Sequence, residues 1–163
     1  MTGRSGWGVV AAYCADPGLD PGFAQDLMDA VDARGLELPW GSSYFDATPP
    51  EGEHVVTLVP ATLQQLHPSP SGTGFGLASL DPEARRAAIG LVRRARDAVE
   101  GLTAACGAVG AVQLPSAPRS DLARLDEHRA ALTESLVEIG QWDWCGARIV
   151  VEHWDSAAGT APH

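Results

Sequence analysis

The stretch DPEARRAAIGLVRRARDAVEGL, Asp81 to Leu102, spells out a long helix near the middle of the chain. Asp81 is an N-cap residue and Pro82 suits the first helical turn. From there Ala88, Leu91, Val92, Ala95, Val99 and Leu102 lay an apolar stripe along one side, through about six turns. The other side alternates Arg85, Arg86, Arg93 and Arg96 with Glu83, Asp97 and Glu100, the pattern of a solvated surface with i, i+4 ion pairs. A helix of this kind needs an apolar surface to rest on.

Toward the carboxyl end, Ala108–Leu114 is apolar and reads as a strand, with its glycines and alanines counting against that reading. Pro115–Pro118 separates it from a further helix, capped by Ser120, with Leu122, Leu125, Leu132, Leu136 and Ile139 at helical intervals and Gly140 as its stop. Ala147–Trp154, containing Ile149, Val150 and Val151, predicts a last strand. Residues 156–163 form a small polar tail expected to be disordered.

Toward the amino end, Phe75–Ser79 predicts a short strand that closes the Pro-, Ser- and Gly-rich loop of residues 67–76. Ala61–Leu66 suits one helical turn. His54–Val59 is the clearest β-branched run, and Leu36–Asp46 is either a broken strand or an ordered loop, since Pro39 and Gly41 interrupt its aromatics. Asp20 and Pro21 open a helix through Phe23, Leu27, Ala30 and Val31, which Gly35 is expected to end. Trp7–Tyr13 predicts the first strand. The sum is an α+β fold: a sheet of four to five strands with two to three helices packed on it, in one domain over residues 1–155. The first six elements follow the βαββαβ order of ferredoxin-like domains.

Composition excludes more than it assigns. All eleven basic residues are arginine and no asparagine occurs, a bias that a GC-rich coding sequence produces. Without lysine there is no Schiff-base nucleophile, no pyridoxal phosphate anchor and no P-loop cation. Without asparagine there is no N-glycosylation acceptor. A net charge of −10 repels phosphate backbones and anionic lipids, so neither nucleic acid nor membrane is an expected partner. Cys14, Cys106 and Cys145 are odd in number and far apart, the opening residues do not read as a signal peptide, and a cytoplasmic protein is expected.

No assembled catalytic or metal motif stands out, and no cofactor is implied. Gly72, Gly74 and Gly76 lack both the spacing and the lysine of a phosphate loop and read as a flexible or lid-like loop. Cys14 has no evident base beside it, and the clusters Glu51, Glu53, His54 and Glu152, His153, Asp155 lack the close pairs of zinc sites. Acid–base candidates are Asp46, His54 and His153, each within or beside an apolar stretch where burial shifts a pKa. Tryptophan is the unusual presence. Trp142 and Trp144 flank Asp143 in a predicted turn, and Trp40, Tyr44 and Trp154 are further candidates for a binding surface or pocket wall.

These features lead to an acidic protein that docks a partner with a basic surface, of the kind that neutralises a toxin. The rival expectation is a small cofactor-independent enzyme, an isomerase, cyclase, dehydratase or hydrolase, taking an apolar or aromatic ligand. A homodimer through an edge strand or the arginine-rich helix fits either.

Overall fold

The computed structural model describes residues 9–11, 22–41, 49–58, 74–116 and 122–152. Its elements run β1 (Val9–Ala11), α1 (Phe23–Ala30), β2 (Gly35–Pro39), β3 (Gly52–Thr57), α2 (Pro82–Cys106), β4 (Gly107–Pro115), a 3-10 turn (Leu122–Arg124), α3 (Leu125–Ile139) and β5 (Arg148–Glu152). By their contacts the described residues fall into two compact units. One holds those of 1–57, 96–113 and 143–149, and the other those of 58–95, 114–142 and 150–163.

One sheet takes the five strands in the order β1-β2-β3-β4-β5. β1 to β4 pair in parallel, with Val10 opposite Leu36, Glu37 opposite Val55 and Thr57 opposite Gln113. The mixture of helix and strand agrees with the sequence; the comparison with ferredoxin-like domains does not carry over to the sheet. There the two strands that follow one another without a helix would form an antiparallel hairpin. Here β2 and β3 run the same way, so no hairpin joins them. Residues 42–48 lie outside the described set, as does the predicted tail.

The helix signals in the sequence translate directly where the chain caps itself. Asp81 Oδ1 accepts the backbone N–H of Glu83 at 2.9 Å and of Ala84 at 3.4 Å, starting α2 at Pro82. Each of the six predicted stripe residues of α2 is buried. Its polar side makes one of the expected i, i+4 pairs, Arg96 with Glu100, but it also reaches across to α3, through Arg85–Glu134 at 3.1 Å and Arg93–Glu138 at 3.3 Å.

Two expectations are corrected. Gly35 does not end α1; the helix stops at Ala30, Asp32 turns the backbone at a φ of 53°, and Gly35 opens β2. Val31, placed on the stripe by its spacing, lies past the helix and is 57% exposed. Phe75–Ser79 is a turn and not a strand. Its carbonyls are taken by side chains of α3: Ser135 Oγ donates to Leu77 at 2.8 Å and His128 Nδ1 to Ala78 at 2.7 Å. With those acceptors used, the segment has no need of a neighbouring strand.

Candidate functional site

Alternate residues of a strand point to opposite sides of the sheet, and the two sides of β2 and β3 differ in chemistry. Leu36, Leu38, His54 and Val56 share one side and are all fully buried. α1 lies on this side, since a Cβ on Gly52 would sit 3.3 Å from both Met28 Cε and His54 Cε1. The other side carries Glu37 on β2, Glu53 and Thr57 on β3 and Gln113 on β4, with the buried Val55 and Ala111 among them. Sheets made only of parallel strands ordinarily bury apolar residues on both sides, which makes the polar side the exception to be explained.

On that side Thr57 Oγ1 donates to Glu37 Oε1 at 2.9 Å, a diagonal contact between neighbouring strands. Thr57 is buried and Glu37 half-buried. Gln113 lies opposite Thr57 in the register, so a carboxylate, a hydroxyl and an amide occupy adjacent places on three neighbouring strands. Thr57 ends β3 and Gln113 lies in the carboxyl-terminal half of β4, the end at which parallel α/β sheets bind ligands, and Glu37, midway along β2, reaches toward that end through its contact with Thr57. Trp40 follows directly at the end of β2, buried, with its N–H donating to the Thr57 carbonyl at 2.9 Å.

The register that brings Gln113 beside Thr57 depends on a bulge. His54 faces Val109 but Val55 faces Ala111, leaving Gly110 as an extra residue of β4. The Glu53 side chain lies against that glycine: a Cβ there would meet Glu53 Oε1 at 2.8 Å. β2 and β3 are also held close, because a Cβ on Gly35 would come within 1.9 Å of the Glu53 carbonyl oxygen.

His54, an acid–base candidate by sequence, stands on the opposite side from Glu37 and Thr57. Its Nδ1 accepts the Leu36 N–H at 3.2 Å and its Nε2 donates to the Pro50 carbonyl at 2.9 Å. A ring nitrogen that accepts a backbone N–H carries no proton, so the imidazole is held neutral with both nitrogens engaged inside the fold. Burial is the main cause that pushes its pKa below the usual 6.5, opposed by the hydrogen bond to Pro50. The unfolded chain takes up a proton at about pH 6.5 that the folded chain refuses, so stability is complete above that pH and is lost as pH falls below it. The slope is at most about 1.4 kcal/mol per pH unit. Urea unfolding at pH 7.5, 6.5 and 5.5 is expected to show this loss. His54→Gln, which offers an amide acceptor and donor in place of the ring, is expected to flatten it relative to the parent chain.

The tryptophan pair is divided. The predicted turn exists, with the Cys145 N–H donating to Asp143 Oδ1 at 2.9 Å and Cys145 at a φ of 56°. Trp144 is only 6% exposed, and the Arg93 guanidinium lies 4.7 Å from the centre of the half-buried Trp142 ring. One indole therefore packs inside while the other is stacked by an arginine. Burial, then the charge of Glu51, pushes the Cys106 thiol up, which suits a packing residue and not a nucleophile. Asp46, Tyr44, His153, Trp154 and Cys14 lie outside the described residues. Among those described, no three His, Cys, Asp or Glu side chains form a group able to hold a metal ion, and no helix is long and apolar enough to cross a membrane.

Sequence reasoning passed over Glu37, Thr57 and Gln113. The usable signal was alternation: GLELP, GEHVVT and AVQLP each place a polar residue directly beside a buried apolar one. Only the register shows that these polar residues meet.

No solved structure matches the chain. An uncharacterized protein of Salmonella typhimurium strain LT2, STM3670, is 31% identical over 178 aligned positions, which take in 99% of this chain and 56% of the relative. The chain thus spans little more than half the length of that curated relative. The family model for a domain of unknown function, DUF4862, matches residues 9–163, nearly the whole sequence. The chain belongs to the DUF4862 family.

Proposed function

We propose that the polar side of the sheet is the wall of an enzyme site that takes a small, uncharged, hydroxyl-bearing metabolite and works on it by acid–base chemistry. The observation that carries this is the Glu37 carboxylate, half-buried and oriented by the Thr57 hydroxyl at the ligand-binding end of parallel strands. A carboxylate in that position can remove a proton from a substrate carbon or hydroxyl and return it. The Gln113 amide carries both an NH2 donor group and a carbonyl acceptor, suited to a neighbouring hydroxyl or carbonyl of the substrate. Net charge of −10 disfavours phosphorylated compounds. Isomerisation and dehydration are the reaction types that need no more than this.

Thermal-shift screening against neutral polyols, sugars and hydroxy ketones, with sugar phosphates as controls, tests the reading. Neutral compounds are expected to raise the melting temperature of the parent chain and to do so much less for Gln113→Ala. Ligands that stabilise both equally would set the assignment aside.

Docking to a basic partner is the second reading, and Trp142 under Arg93 together with the negative charge supports it. It loses Trp144, which is enclosed. Salt-sensitive association with a basic protein, undiminished in Glu37→Gln, would favour it.

A further inference from the structure

We propose that β1 to β5 are five consecutive staves of a (βα)8 barrel, and that the edge of β5 turned away from β4, which pairs with none of the described strands, receives a further strand. That strand would come from polypeptide carrying βα units like those in the part of the Salmonella relative that lies outside the match.

The first observation is strand order. Each strand lies beside its predecessor in the chain, without the reversal that defines an open doubly wound sheet. β1 to β4 are parallel, and the Ser116 N–H donates to the Glu152 carbonyl at 3.0 Å, so the carboxyl ends of β4 and β5 also lie together. An unbroken succession of this kind is the arrangement of staves in a barrel.

The second is the two-sided chemistry of the strands. Leu36, Leu38 and Val56 face the α1 side, whereas Glu37, Thr57 and Gln113 share the other. A barrel separates its sides in this way, helices packing outside and the ligand-binding end opening from within.

The third is β5 itself. Val150 and Val151 point to opposite sides of the strand, yet they are 45% and 41% exposed, whereas β2 has no exposed residue. Strands inside a parallel sheet are covered on both sides and both edges, and an apolar strand left open is a template for further pairing.

The fourth is length. If 178 aligned positions are 56% of the relative, that protein has about 300 residues, the size of a complete barrel of this type. Five staves of eight is close to the same fraction. The uncovered part is long enough for three more βα units at roughly 30 residues or more each. A second copy of this chain fits less well, since two sheets of five strands exceed eight.

Determining the structure of the whole Salmonella protein is the direct test. The expected result is eight parallel strands, with the strand matching β5 hydrogen-bonded on its far edge to a sixth. A matching strand left at an open edge, or covered by a helix, overturns the proposal. Coexpression of this chain with the unmatched part of the relative gives an independent reading by light scattering and amide exchange. A one-to-one complex in which the β5 amides become protected is expected, and Val150→Asp should weaken it at least tenfold without lowering the melting temperature of this chain alone. A homodimer of this chain with protected β5 amides would overturn the choice of partner, and a complex indifferent to Val150→Asp would overturn the choice of edge.

Discussion

Gly35→Ala is expected to lower the melting temperature by roughly 6–12 °C, or to prevent folding. The added Cβ would stand 1.9 Å from the Glu53 carbonyl oxygen, and both atoms belong to backbone held in adjacent strands. Rotamer changes relieve clashes only between side chains. Here β2 and β3 themselves would have to separate, which costs at least about 3 kcal/mol by comparison with overpacked cores. For a chain of this size each kcal/mol moves the midpoint by about 2–4 °C. Gly90→Ala supplies the control, because a Cβ there meets nothing within 4 Å and the site lies on the exposed side of α2. That exchange should stabilise by about 0.8–1 kcal/mol, from helix propensity alone. Thermal unfolding of the two variants side by side separates contact from backbone freedom. Equal small effects would mean that β2 and β3 do not approach as closely as described.

Glu37→Gln is expected to reduce turnover by about 10²- to 10⁴-fold on whichever neutral substrate the thermal-shift screen finds. The exchange keeps an oxygen for the Thr57 hydroxyl and changes neither length nor shape, so circular dichroism and melting should stay close to the parent. What it removes is the charge and the capacity to take a proton. A loss confined to kcat, with KM little changed, is the signature of a group acting in the transition state. Gln113→Ala should behave in the opposite manner, raising KM by the loss of a positioning contact. Undiminished turnover in Glu37→Gln would remove that residue from the chemistry.

Local rules found much of this molecule in advance. The capped start of α2, its six-residue stripe, the turn at Asp143 and the positions of β3, β4 and β5 all follow from short-range signals such as Asp-Pro, period 3.6 and β-branched runs. Where the sequence misled, the competing influence was long-range. Phe75–Ser79 has strand composition, but Ser135 and His128, 58 and 50 positions away from the residues that they contact, take its carbonyls. His54 was a candidate because it opens an apolar run where burial shifts a pKa. Its role is decided by the Leu36 N–H and the Pro50 carbonyl, neither of which has a sequence signature. The Glu37–Thr57–Gln113 group was hidden for the same reason, being assembled by parallel register from three segments that individually look like ordinary strands.

The extra residue at Gly110 sets the phase of everything after it in β4. Were it drawn into the ladder as an ordinary pair, Val112 and Leu114 would rotate onto the polar side and Gln113 would be buried beneath a helix. Excising Gly110 altogether leaves odd and even positions as they are and merely straightens the strand. Shortening the chain by this one residue should therefore be milder than Gly110→Val, which drives a branched side chain into the Glu53 carboxylate. Insertions and deletions here obey parity, so relatives that differ in length at this point should do so together with the loss of the bulge.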